Sequence, residues 1–169
     1  SSSAALEVAV AYAVQELYKL NISGIDLALI CQEAENQVVG VRCGIMDQYI
    51  SRMAEKDKAL LIDCKTLKYR TVPLNLKKAK LIITNSNSPH KLTSSLYNER
   101  VRECEEAVKI FAASKEGNSL RDYTMQDYEE NKNLLPEIIR KRAFHVISEN
   151  ERVLKAEEAL KKGNLTEFG

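Results

Sequence analysis

Three hydroxyl side chains, Ser1, Ser2 and Ser3, run into an apolar helical repeat, and two carboxylates, Glu35 and Asp47, follow twelve residues apart. Hydroxyls at a helix N-terminus suit anions, because the first-turn N–H groups have no intrahelical partner and the dipole favours negative charge. The same Ser-Ser-Ser also reads as an ordinary helix cap. Asp47 lies within Val41-Arg42-Cys43-Gly44-Ile45-Met46-Asp47-Gln48, where an acid in the first helical turn after a glycine-containing loop is a favourable dipole partner. A hydroxyl, a Glu and an Asp are equally the parts of magnesium-assisted phosphoryl transfer. In that chemistry hard oxygens hold the metal, and a carboxylate orients or deprotonates an acceptor hydroxyl.

The elements that must position these groups follow from periodicity. Leu6, Val8, Val10, Ala13, Val14, Leu17 and Leu20 recur mostly at three- and four-residue steps, which predicts an amphipathic helix from Ala4 to Leu20. Asn21 to Gly24 reads as a turn, and a second helix begins near Asp26, with Ser23 as its cap, and ends before Gly40. A short third helix spans Met46 to Met53. Ala59 to Asp63 and Tyr69 to Leu74 read as antiparallel strands joined through Lys65 to Lys68, with Pro73 limiting the second.

Asn75 to Lys80 forms a polar, basic link into a third strand-like run, Leu81 to Thr84, and the domain boundary falls here, giving domains 1–76 and 77–169. After a polar loop, Thr93-Ser94-Ser95 leads into a long helix carrying Tyr97, Val101, Cys104, Ala107, Val108 and Phe111, stopped by Gly117-Asn118. Short helical stretches follow Thr124, and a last long helix runs from about Glu137 to Lys162 before Gly163-Asn164. Many helices with three strands define an α+β class whose strands need partners from outside this chain.

Composition excludes several functions. Lys and Arg total 25 against 24 Asp and Glu over 169 residues, with the signs interspersed, so no electrostatic footprint for nucleic acid or an acidic membrane exists. Apolar runs such as Ala59-Leu60-Leu61-Ile62 are too short to span a bilayer. Cys31, Cys43, Cys64 and Cys104 are widely separated, without a CxxC pair, and read as buried thiols of a reducing cytoplasm rather than a zinc site. His90 and His145 have no partner at metal or triad spacing and read as structural or solvent-facing. The charge-rich helix ends, Arg140-Lys141-Arg142 and Glu157-Glu158 with Lys161-Lys162, read as solvated faces.

Five blocks in order carry a family resemblance. SSSAALEVA (Ser1 to Ala9) resembles the tail of the second signature of the GHMP small-molecule kinases, which usually begins with glycines ahead of the serines. CGIMDQYISRMAEK (Cys43 to Lys56), LIITNSN (Leu81 to Asn87), SLYNERVRECEEAV (Ser95 to Val108) and RAFHVISENERV (Arg142 to Val153) resemble the galactokinase members. The resemblance implies a GHMP-kinase-like fold, with part of a ribosomal protein S5 domain 2-like N-terminal domain joined to the start of a helical, ferredoxin-like C-terminal domain. It implies ATP-dependent phosphorylation of the C1 hydroxyl of galactose, with Mg2+, in the cytoplasm.

Carried over by residue, the resemblance assigns Ser1, Ser2, Ser3 and Ala4 to the loop that cradles the ATP phosphates. It places Ser3 and Glu35 on the metal, with Ser2 a close second to Ser3. Asp47 matches the catalytic aspartate that engages the C1 hydroxyl, as base or electrostatic anchor, while Gly44 and Tyr97 match the backbone and phenol contacts to the sugar. Glycine at 44 would allow close backbone approach.

The family's GRxNLIGEHTDY signature, its adenine-pocket residues and its late glycine-rich motif have no counterpart in these residues. The expectation is a central fragment that begins inside the serine motif, has negligible activity alone, places Ser1 to Ser3 poorly and self-associates through uncovered apolar edges, whereas the parent is monomeric. Two other functions compete: a non-catalytic galactose and ATP sensor, and an N-acetylgalactosamine kinase. Asp47 favours an enzyme over a sensor, and Cys43 and Ile45 in place of glycines favour plain galactose.

Overall fold

The computed structural model describes residues 2–76, 79–85, 87 and 94–169, without the side chains of 94 and 95; Ser1, His90 and Thr93 lie outside the described residues. The chain divides into two compact units, Ser1–Ser88 and Pro89–Gly169.

The first unit packs three helices and a hairpin: α1 (Ser2–Tyr18), α2 (Gly24–Ala34), α3 (Met46–Met53), β1 (Lys58–Asp63) and β2 (Lys68–Pro73). The Ser23 hydroxyl caps α2 as expected, accepting the Asp26 N–H at 3.1 Å, and Asp26 adds charge where the dipole favours it. Beyond Ala34 the helix widens into a π turn, Glu35–Val39, in which the Gly40 N–H donates to the Glu35 carbonyl at 3.2 Å. Gly40 ends it at φ +78°, a left-handed conformation that glycine adopts without a Cβ penalty.

Two small cores hold the unit together. Val8 of α1 packs on Leu27 and Cys31 of α2, with Ala11 and Ile22 alongside. Ala28, Ile45 and Tyr49 form the other, against which Leu60, Ile62 and Leu67 of the hairpin pack. Tyr49 is fully buried; its hydroxyl donates to the Leu67 carbonyl at 2.7 Å, and its ring meets Tyr69 edge-on at 5.6 Å. Leu67 sits at φ 57°, so the hairpin turn is drawn toward α3 at a backbone conformation uncommon for a side-chain-bearing residue. The strands pair antiparallel from Lys58↔Pro73 to Asp63↔Lys68, and the Asp63 carboxylate accepts the Lys65 and Thr66 N–H groups across the turn.

Three expectations are corrected here. The apolar repeat of α1 does not form one buried stripe: Ala4 and Val8 are buried, whereas Leu6 and Leu17 are 67% and 74% exposed. The helix is apolar on several sides, and α2 and α3 cover only one of them. Leu81 to Thr84 forms no strand; 79–85 carry no regular structure, and Ile82 and Ile83 are exposed, because no neighbouring strand among the described residues takes their hydrogen bonds. Of the four cysteines only Cys31 is buried, and Cys64 is exposed at the start of the hairpin turn.

The second unit comprises α4 (Ser94–Phe111), α5 (Met125–Asn131), α6 (Glu137–Lys161) and α7 (Leu165–Phe168), with 3-10 turns at Leu120–Asp122 and Lys132–Leu134. Its core joins Ala107 and Phe111 of α4 to Leu120, Tyr123, Tyr128 and Leu135, and to Ile139, Ala143 and Ile147 of α6. Phe111 meets Tyr123 edge-on at 5.0 Å and ends α4 before the expected stop at Gly117, where an added Cβ would stand 2.6 Å from the Tyr123 hydroxyl oxygen and force that buried ring to shift. Thr124 and Asp127 form a capping box that starts α5, and Lys115 reaches the same Asp127 carboxylate at 2.6 Å. Arg142 Nε donates to Glu103 Oε2 at 2.6 Å, pinning α6 to α4.

Candidate functional site

The side chains that converge in the first unit do so around Glu35, at the junction where α2 becomes the π turn. The Ser3 hydroxyl, in the first turn of α1, donates to Glu35 Oε1 at 3.0 Å. On the other oxygen, Gln48 Nε2 of α3 donates to Glu35 Oε2 at 2.8 Å. The Cys43 thiol lies 3.6 Å from Oε2 and 3.4 Å from Asn36 Oδ1, and Gln32 Nε2 of α2 donates to the Cys43 carbonyl at 2.9 Å. One carboxylate therefore ties together the start of α1, the end of α2 and the start of α3.

Electrostatics at this junction are set by burial and by that carboxylate. Burial first, then the charge of Glu35, pushes the Cys43 thiol up, while a hydrogen bond from Gln48 acts in the opposite sense. A thiol raised in this way stays protonated near neutral pH and serves as a weak donor rather than a nucleophile.

The sequence-derived candidates fall as follows. Ser3 and Glu35 are brought into direct contact, Ser2 is exposed beside Ser3, and Ala4 is buried one residue further along α1. Ser1 lies outside the described residues. Asp47 is half-buried in the first turn of α3, its backbone carbonyl accepting the Ser51 hydroxyl at 2.7 Å, one residue before the Gln48 that bonds Glu35. Gly44 is exposed in the loop between the π turn and α3, and a Cβ there would meet nothing within 4 Å. Among the described residues, nothing therefore requires glycine at that position. Tyr97 belongs to the second unit, on α4, and is 44% exposed. His145 is exposed on α6, in line with a solvent-facing residue.

Gln48, Gln32 and Asn36 escaped sequence reasoning. Amides on helices read as surface residues, and only tertiary packing buries Gln48.

The Ser3 hydroxyl and the Glu35 carboxylate are hard oxygen donors of the kind that suits Mg2+, which commonly takes one or two protein oxygens together with water and substrate phosphate. Among the described residues no three His, Cys, Asp or Glu side chains gather in a metal-holding group, so an all-protein cage is not formed. No helix there is long and apolar enough to cross a membrane.

Residues 1–55 match the family described as GHMP kinases N terminal domain, and the helix junction around Glu35 lies inside that match. The chain is thus similar to GHMP kinases in this part of its sequence, and its helix-rich α+β architecture fits the GHMP kinase fold. Over all 169 residues it is 47% identical to galactokinases of Thermotoga petrophila and Thermotoga maritima and 44% identical to that of Thermotoga neapolitana. It spans 46% of the length of each of these relatives. A solved structure of Lactococcus lactis galactokinase complexed with galactose superposes on the whole chain with a TM-score of 0.94 at 39% identity, the chain covering 44% of that structure.

Proposed function

We propose that the protein containing this chain is a galactokinase, transferring the γ-phosphoryl group of ATP to the C1 hydroxyl of galactose. The observation that carries this reading is the contact chain from Ser3 to Glu35 to Gln48, directly beside Asp47, in a sequence similar to galactokinases from end to end.

Ser1, Ser2, Ser3 and Ala4 are assigned to the ATP phosphates, where first-turn N–H groups and the helix dipole favour the anion. Ser3 and Glu35 would hold Mg2+, which supplies charge neutralisation across the phosphate oxygens when bound. Asp47 engages the C1 hydroxyl, orienting it and accepting its proton as the phosphoryl group is transferred. Gly44 offers an unobstructed backbone to the sugar, and the Tyr97 phenol a hydrogen-bonding group. Free cysteines suit a reducing compartment, which supports a cytoplasmic setting.

The test is product analysis of the full-length protein with ATP, Mg2+ and either galactose or N-acetylgalactosamine. Galactose 1-phosphate and stoichiometric ADP with galactose, and far less turnover with the N-acetylated sugar, are expected. ADP release that does not depend on galactose overturns the reading.

A further inference from the structure

Gln48 is the one buried polar residue of the first unit among the described residues, at 1% exposure. Its placement is hard to explain by stability. The Glu35 carboxylate only accepts hydrogen bonds, so the amide nitrogen must be the atom that faces it, and this turns Oε1 into a buried position without a hydrogen-bond partner. A buried, unpaired carbonyl is unfavourable, and a side chain of similar volume without polar atoms would fill the same space without that penalty. What Gln48 adds is therefore its N–H donation, foremost the bond to Glu35 at 2.8 Å beside a hydrogen bond to the Cys43 thiol.

We propose that Gln48 is a positioning residue for the cation site, an inference that rests on the galactokinase reading above. Its amide holds Glu35 Oε2 and leaves Oε1 turned toward Ser3, so the carboxylate presents one oxygen beside the serine hydroxyl. A neutral donor suits this task. Lys or Arg would hold the carboxylate equally well but would cancel the charge that a divalent cation needs. Because Gln48 follows Asp47 on the first turn of α3, the same bond fixes that turn against the end of α2, linking the cation carboxylate to the acceptor-directed one.

The test uses Gln48→Met in the full-length protein, with Gln48→Leu as a second apolar replacement should Met fail to fold. Two quantities are read: Mn2+ affinity in the presence of ATP by electron paramagnetic resonance, and the Mg2+ concentration for half-maximal rate. Both are expected to weaken by about 10–100-fold, the range found when hydrogen bonds to ligating carboxylates are removed. Thermal stability should be unchanged or raised, and kcat at saturating Mg2+ should fall far less than the metal constants rise. In a Glu35→Ala background, Gln48→Met should add nothing to the loss of Mn2+ affinity, because its effect passes through Glu35.

Unchanged Mn2+ affinity in a folded variant, with wild-type galactose turnover intact, overturns the role of Gln48 alone. A shifted Mn2+ affinity in a protein that does not phosphorylate galactose overturns the substrate reading alone.

Discussion

Each oxygen of the Glu35 carboxylate has its own neighbour, Ser3 on one side and Gln48 on the other, and Asp47 follows from the second contact as the next residue along α3. With that arrangement, Asp47→Ala is expected to lower galactose turnover by about 10²–10⁴-fold, the range for loss of a positioned acid or base. ATP binding by calorimetry should not change. Unaltered turnover would remove Asp47 from its assigned role. Ser3, Glu35 and Asp47 stood out in the sequence as a hydroxyl and two carboxylates of the kind phosphate and metal chemistry uses, and the structure brings the first two into contact. Gln48 was not, since an amide inside MDQYISRM reads as one more polar helix position. Its meaning depends on which residue of α2 it meets, and that is settled only by packing.

At the scale of elements, local signals were the reliable ones. Ser23, the Thr124 capping box and the chain reversal after Asp63 are each decided within a few residues, and each is where the sequence placed a boundary or turn, whereas α4 ends at Phe111, short of the glycine expected to stop it. The run 81–84 is apolar and β-branched, yet extended backbone becomes a strand only when a partner accepts its hydrogen bonds, and that partner is not a local property. The α5 cap carries a pH prediction. Hydrogen bonds from Lys115, then from the Thr124 backbone, hold the Asp127 carboxyl well down, at about 2 against an ordinary 3.8. A carboxylate depressed on folding contributes stability that is present above its unfolded pKa and lost as pH falls through the folded one. Thermal unfolding of the wild type should therefore weaken between about pH 4 and pH 2, more steeply than that of Asp127→Asn. Parallel curves across that window would show that Asp127 contributes no such stability.

At the scale of the whole molecule, the most consequential surface is the apolar one. Leu6, Val10 and Leu17 on α1 and Leu81, Ile82 and Ile83 further along are all more than half exposed. Exposed apolar area of this kind drives association. Sedimentation of the 169-residue chain should show mass rising with concentration, and Leu6→Lys with Leu17→Lys should reduce it without loss of helix; a monomer at all concentrations would contradict this. The π turn at Glu35–Val39 bears on chain length itself. It holds one more residue per hydrogen-bonded loop than an α turn, so it is spare length stored between the two carboxylates. Removing Val38, which is 84% exposed, would let the turn tighten to α spacing with the helices retained by circular dichroism, yet shorten the tether to Asp47 and lower turnover. Insertions and deletions are usually absorbed in surface loops; here a single lost residue would retune the distance between two assigned site residues without touching either.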